Sequence, residues 1–198
     1  MMTKTNIGYN TFSFMEELPY NIIKRLLING SENFWKILYY DTPNALQKDN
    51  LSMSQKKSLV FDGSNDENDC RVFLKPLVQD AIIEAKSIIK LYLYQEVPTN
   101  KVSSIISIRF ETITDTNIDM VYNENNVLCN RVSLLNRMLL QELNGSDIGG
   151  SGLLSFDREL TRNCTGSYAI NNVKNFYGDT LVMGVNFTSA SNGSNCHE

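Results

Sequence analysis

The chain has 198 residues, 42% hydrophobic and 20% charged, which suits a single buried core and excludes a chain disordered by composition. Lys+Arg 18 against Asp+Glu 22 leaves a net charge of −4 and a pI near 5.1, against the basic footprint of a dedicated nucleic-acid binder. No apolar run reaches the roughly 18 residues of a bilayer span, and the opening MMTKTNIGYNTF lacks a signal-peptide core, so a soluble, non-secreted, non-membrane protein is expected.

In chain order, Ile22, Ile23, Leu26 and Leu27 recur at helical spacing, and Pro19 suits a first helical position. A helix is expected from about 19 to 28, stopped by Asn29-Gly30. Ser31 can cap a second short helix, in which Phe34, Ile37 and Leu38 form an apolar stripe beside Trp35. Ser52 and Gln55 have capping-box spacing for a third, near 53–60. Residues 62–70, DGSNDENDC, read as an exposed acidic loop; Asp62, Asp66, Glu67 and Asp69 miss the register of a calcium loop.

The middle reads as β. Residues 88–94 place Ile89, Leu91 and Leu93 on one face and Ile88, Lys90, Tyr92 and Tyr94 on the other. After the turn chemistry of 97–100, residues 105–114 alternate Ile106, Ile108, Phe110 and Thr112 against Ile105, Ser107, Arg109, Glu111 and Ile113. Two such runs around one turn make a long antiparallel hairpin, with a short strand before it at 71–74. A long helix is expected over 127–143, on the stripe Leu128, Val132, Leu135, Leu139 and Leu143, ended by Asn144-Gly145. Short strand 153–156 and the alternating run 180–187 follow, with Leu181, Met183, Val185 and Phe187 facing a core and Gly184 and Asn186 facing away. The fold class is α+β: an antiparallel sheet with a long hairpin, flanked by a long helix and several short N-terminal helices. One domain is expected, with 12–61 its helical part, 70–188 the α+β core and 189–198 a flexible tail, like the first ten or so residues.

Catalytic chemistry finds little support. His197, the single histidine, is one residue from the C-terminus and unsuited to a rigid triad. Cys70, Cys129, Cys164 and Cys196 are far apart and read as reduced thiols. The glycines of LNGSDIGGSGLLSF follow a helix and precede a strand, the reverse of a phosphate cradle, and form a turn. Glu16-Glu17 and Asp157-Glu159 read as solvated carboxylates. No catalytic residue, metal or cofactor is called for. Isolated arginines in a β face serve either single surface ion pairs or a subunit interface. Likewise, the face carrying Tyr92 and Tyr94 is covered either by this chain's own helices or by another subunit.

Six phrases in order, NFWKILYYDTPNAL, RVFLKP, IKLYLYQEVPTN, SIISIRFETITDT, RVSLLNRMLLQELNGSDIGGSGLLSF and NFYGDTLVMGVNF, span about 33–188. In them the chain resembles the small neck proteins of tailed bacteriophages: head–tail connectors, head-closure proteins and tail terminators. That resemblance implies a non-enzymatic virion protein at the head–tail junction. It would form a homo-oligomeric ring, sixfold or twelvefold, beside portal, tail-tube or tail-sheath proteins, with DNA only passing through the lumen. An identical-subunit ring needs heterologous contacts, for which Tyr92, Tyr94, Arg109, Glu111 and Asn186 are the candidate interface residues. A tail-terminator ring is one alternative. Others are a non-virion adaptor using an exposed hairpin edge and an enzyme relying on carboxylates alone.

Overall fold

The structure, a computed structural model, describes residues 7–76, 85–99, 103–148, 152–164, 168–169 and 175–188, with side chains of 7–13, 168–169 and 188 excepted. The expected flexible tail, residues 1–6, Cys196 and His197 lie outside the described residues.

Helix α1 (Ile7–Asn29) is the first departure from the sequence reading, since it begins well before Pro19 and includes residues 7–10. Phe14, Leu18, Ile22 and Leu26 recur every fourth residue and are all buried, so one apolar stripe continues through the proline. Pro19 removes one backbone N–H from the ladder, a loss offset by burial on both sides of it. Phe14 stacks on Phe187 with ring centroids 4.8 Å apart. Helix α2 (Glu32–Tyr39) is capped by Ser31, whose hydroxyl accepts the Asn33 N–H at 3.2 Å. Its Phe34, Trp35, Ile37 and Leu38 are buried, and the Trp35 indole N–H donates to the Leu26 carbonyl at 3.1 Å. Helix α3 (Met53–Ser58) carries the reciprocal capping box of Ser52 and Gln55.

The sheet runs β1 (Val72–Phe73), β2 (Ser87–Pro98), β3 (Ser103–Asp115), β9 (Phe176–Thr188), β7 (Leu153–Phe156) and β6 (Ser146–Asp147), with β8 (Tyr168–Ala169) also paired to β9. Its pairs are antiparallel except β1 with β2, so the expected antiparallel sheet gains one parallel pair at its edge. The long β2–β3 hairpin is present, with a bulge between Leu93 and Gln95. Together with α1 and α2, the α+β class follows directly, although α1, at 23 residues, is the longest helix.

Between β3 and the next helix lies a second small ribbon, β4 (Met120–Tyr122) with β5 (Leu128–Asn130). Helix α4 is Arg131–Leu143, so the expected helix over 127–143 loses its first turn. The reason is local. Asn123 accepts the N–H groups of Asn125 and Val127 at 3.0 Å each, Asn126 takes φ 58°, and Asn130 caps α4 by accepting from Ser133. Side-chain acceptors of this kind favour turns and caps over helix interior. Leu128 is consequently exposed rather than in the core.

α1, α2 and α4 cover one sheet face over Leu91, Ile106, Ile108, Phe110, Leu181 and Met183. On the other face a smaller cluster of Cys70, Phe73, Ile88, Ile113 and Phe176 closes one end. The acidic loop before it is largely exposed, but Cys70 at its end is fully buried. Helix α5 (Arg158–Cys164) begins beside β9, where the Asp157 N–H donates to the Val182 carbonyl and Thr161 Oγ1 accepts the Val182 N–H at 2.9 Å.

Candidate functional site

The register places Lys90 opposite Glu111, Tyr92 opposite Arg109, and Arg109 and Glu111 opposite Val182 and Thr180. Four of the five candidate interface residues therefore meet on the second sheet face. Glu111 is buried and sits at their centre. It pairs with the Lys90 ammonium, takes the Tyr92 hydroxyl hydrogen at 2.6 Å, and lies 3.1 Å from Arg109 Nη2. Burial opposes its ionisation, but hydrogen bonds from Lys90 and Tyr92 and the nearby cations outweigh it and hold the carboxyl below its ordinary range. Arg109 also reaches Thr180 Oγ1 at a long 3.5 Å, and its guanidinium carbon stands 5.7 Å from the Tyr94 ring centroid.

Tyr94 is exposed at the bulge, and its hydroxyl accepts the Cys164 thiol hydrogen at 3.3 Å. The last turn of α5 thus spans from β9 to β2, so part of this face is covered within the chain. Asn186 shares the face but lies six residues along β9 from Thr180, about 20 Å away at strand rise. It is exposed and borders a shallow groove with Ile105, Ser155, Phe156 and Gly184. The structure brings Tyr92, Tyr94, Arg109 and Glu111 together and leaves Asn186 apart.

The outer edge of β2 contributes a further surface. β1 pairs only with Ile89 and Lys90, so among the described residues no strand lies along 91–98. Toward the hairpin tip β2 loses its cover, and Tyr94 and Val97 are exposed.

Two apolar surfaces escaped the sequence reading. One is a trough of about 880 Å³ between α1, α3 and the segments around 60–63 and 74–75. Ile23, Leu27, Ile28, Met53, Phe61 and Leu74 supply its apolar lining, and Lys24, Lys57 and Lys75 stand among them, with Asp62. The second is the β4–β5 ribbon, where Met120, Tyr122, Val127 and Leu128 are all exposed. The only sequence sign of the first is a second helical series, Tyr20, Lys24, Leu27 and Ile28, beside the core stripe of α1. The second was hidden by its helix-like spacing.

Arg131 was also missed as a structural centre. It is fully buried, and its guanidinium donates to the carbonyls of Ile118, Ile37, Tyr40 and Thr42 at 2.7, 2.7, 3.0 and 2.9 Å. Burial pulls its pKa down, with Asp41 nearby opposing. Asp41 itself is raised by burial despite its 2.8 Å pair with Arg71. Cys70, Cys129 and Cys164 are free thiols. Burial pushes the Cys70 thiol up to about 11, away from the thiolate a nucleophile needs. Among the described residues no three His, Cys, Asp or Glu side chains gather as a metal site, and no helix is long and apolar enough to cross a membrane.

No curated protein matches the chain. A family model, YomW, matches residues 31–185, from the second helix through most of the last strand. The match takes in the hairpin, the β4–β5 ribbon, α4 and most of β9; the chain belongs to the YomW family, whose name is of the phage-derived, Bacillus prophage type.

Proposed function

We propose that this phage-associated chain is a non-enzymatic structural protein of the virion neck, forming a homo-oligomeric ring that joins head and portal to the tail and lets the genome pass. The observation that carries the reading is the incomplete far half of β2: among the described residues, an edge without a strand beyond Lys90, with Tyr94 and Val97 exposed. A long uncovered edge invites pairing with another chain, and the opposite end of the sheet, β6 and β7, is a different surface. Contact between unlike ends is heterologous, which generates rings when the rotation closes. Tyr94 and Asn186 are the candidate interface residues still exposed on the second face, with Tyr92, Arg109 and Glu111 bracing it from within.

The carboxylate best placed for chemistry, Glu111, is engaged by Lys90, Tyr92 and Arg109, which supports a bracing rather than a catalytic role. The acidic balance of −4 suits a lumen that must not hold DNA tightly. A tail-terminator ring uses the same kind of surface and is the alternative within this reading.

Quantitative mass spectrometry of purified particles, scaled to the portal protein, tests it. A copy number equal to that of the portal, or half of it, is expected for a neck ring. Absence from intact particles would overturn the structural role and leave a non-virion adaptor that docks through the β2 edge.

A further inference from the structure

Among the described residues the β4–β5 ribbon and the apolar trough are each apolar surfaces without cover, and they share no residue. In the ribbon's register Tyr122 stands directly opposite Leu128, and Met120 is two residues from Tyr122 on the same side. Val121, on the other side, is buried in the core, with Cys129 opposite it. The ribbon is therefore anchored by one face and presents the other, with Val127 exposed at its turn.

The trough is shaped as a receptor where the ribbon is shaped as an insert. One wall is α1, with Leu27 and Ile28; the other is Met53 of α3 and Phe61. Ile28 is 64% exposed and Tyr20 60%, high values for large apolar side chains on one helix. Charge separates the two surfaces. Lys24, Lys57 and Lys75 outnumber Asp62 around the trough, though Lys75 already pairs with Glu67. Residues 119–130 of the ribbon carry Asp119 and Glu124 and no lysine or arginine. Glu124 pairs with Arg137 in an exposed contact, of the weak kind that yields to a new partner.

We infer that the β4–β5 ribbon of one copy docks in the α1–α3 trough of the next, a head-to-tail contact between two different surfaces of the same chain. This contact rests on the ring reading and names part of its interface. Each bound pair keeps one free ribbon and one free trough, so the contact repeats and gives a ring if the rotation closes or a filament if it does not. Apolar anchors from Tyr122 and Leu128 would supply the buried centre, and the lysines a polar rim against Glu124.

The test uses the full chain, wild type, Leu128→Asp and Ile28→Asp, in sedimentation velocity across a concentration series. Both substitutions fall at exposed positions, and the emission of the buried single Trp35 reports that each variant is folded. The wild type is expected to assemble, and each variant alone to associate at least about tenfold more weakly. An equimolar mixture should give a heterodimer, because one intact ribbon then meets one intact trough. Two results overturn the contact while leaving the ring reading standing: variants that assemble like the wild type, or a mixture that stays monomeric. A wild type that is monomeric throughout overturns the ring reading and this contact with it.

Discussion

Arg131 Nη1 donates to the Ile37 carbonyl at 2.7 Å, joining two fully buried residues 94 positions apart in the chain. The same side chain holds the carbonyls of Tyr40 and Thr42, just past α2, and that of Ile118, just before β4. One guanidinium thus fixes the exit of α2 against the entry of α4 and sets where the β4–β5 ribbon leaves the core. Arginine suits the place because its planar fork offers five donors in fixed directions.

Replacing Arg131 by Ala leaves buried carbonyls without donors and is expected to cost about 3–5 kcal/mol of stability. Arg131→Lys should recover little of this, since an ammonium cannot serve four diverging carbonyls at once. Urea denaturation followed by Trp35 emission measures both; an Arg131→Lys midpoint equal to the wild type would contradict the fork argument.

Gly152 sets the entry to β7 and takes φ 131°, where an added Cβ would lie 2.8 Å from the Asn186 carbonyl oxygen. Side chains rarely adopt that conformation and the neighbouring atom is backbone, so relief requires β7 to shift. Gly152→Ala should destabilise by about 1–3 kcal/mol and lower the Tm by several degrees in differential scanning fluorimetry. An unchanged Tm would show that the turn is not constrained as described.

Glu111 gives the fold an acid-sensitive brace. Its pKa is lower folded than its ordinary value of 4.5. The brace therefore contributes fully above about pH 5 and is lost as the pH falls through the depressed folded value. Glu111→Gln should cost about 3 kcal/mol at neutral pH, because Lys90 and Arg109 lose their buried partner. The stability gap between variant and wild type should then narrow below pH 4.5. Denaturant midpoints measured from pH 7 to pH 3 test this, and a gap that stays constant would contradict it.

Thiol accessibility separates Cys70 from Cys164. Cys70 is fully buried and raised to about 11, so alkylation at pH 8 should spare it in the folded protein and reach it on unfolding. Cys164 is half-buried on α5 and should react in the folded state. Peptide mapping after a short iodoacetamide pulse gives both answers; equal labelling of Cys70 and Cys164 would contradict the burial of the 62–70 loop's end.

What the sequence alone determined was whatever depends on neighbours along the chain. The period-2 alternation of 88–94, 105–114 and 180–187 gave three long strands and the faces on which Ile108, Phe110, Leu181 and Met183 lie. Ser31, Ser52 with Gln55, and Asn144-Gly145 marked helix ends by hydrogen-bonding chemistry that acts within a few residues. Tertiary structure decided the rest. Phe14 belongs to α1 because Phe187 stacks on it, and no local rule reaches across that span to override the break suggested by Pro19. Val127 and Leu128 kept helical spacing in sequence but lie in a ribbon, because Asn123 and Asn130 offered the backbone better local acceptors. Glu111 and Arg109 could be named from the β pattern, but their engagement with Lys90 and Thr180 follows from strand register. The trough exists only where α1, α3 and the chain near 60 and 75 converge. A cavity is a property of packing, and packing joins residues that the chain itself keeps apart.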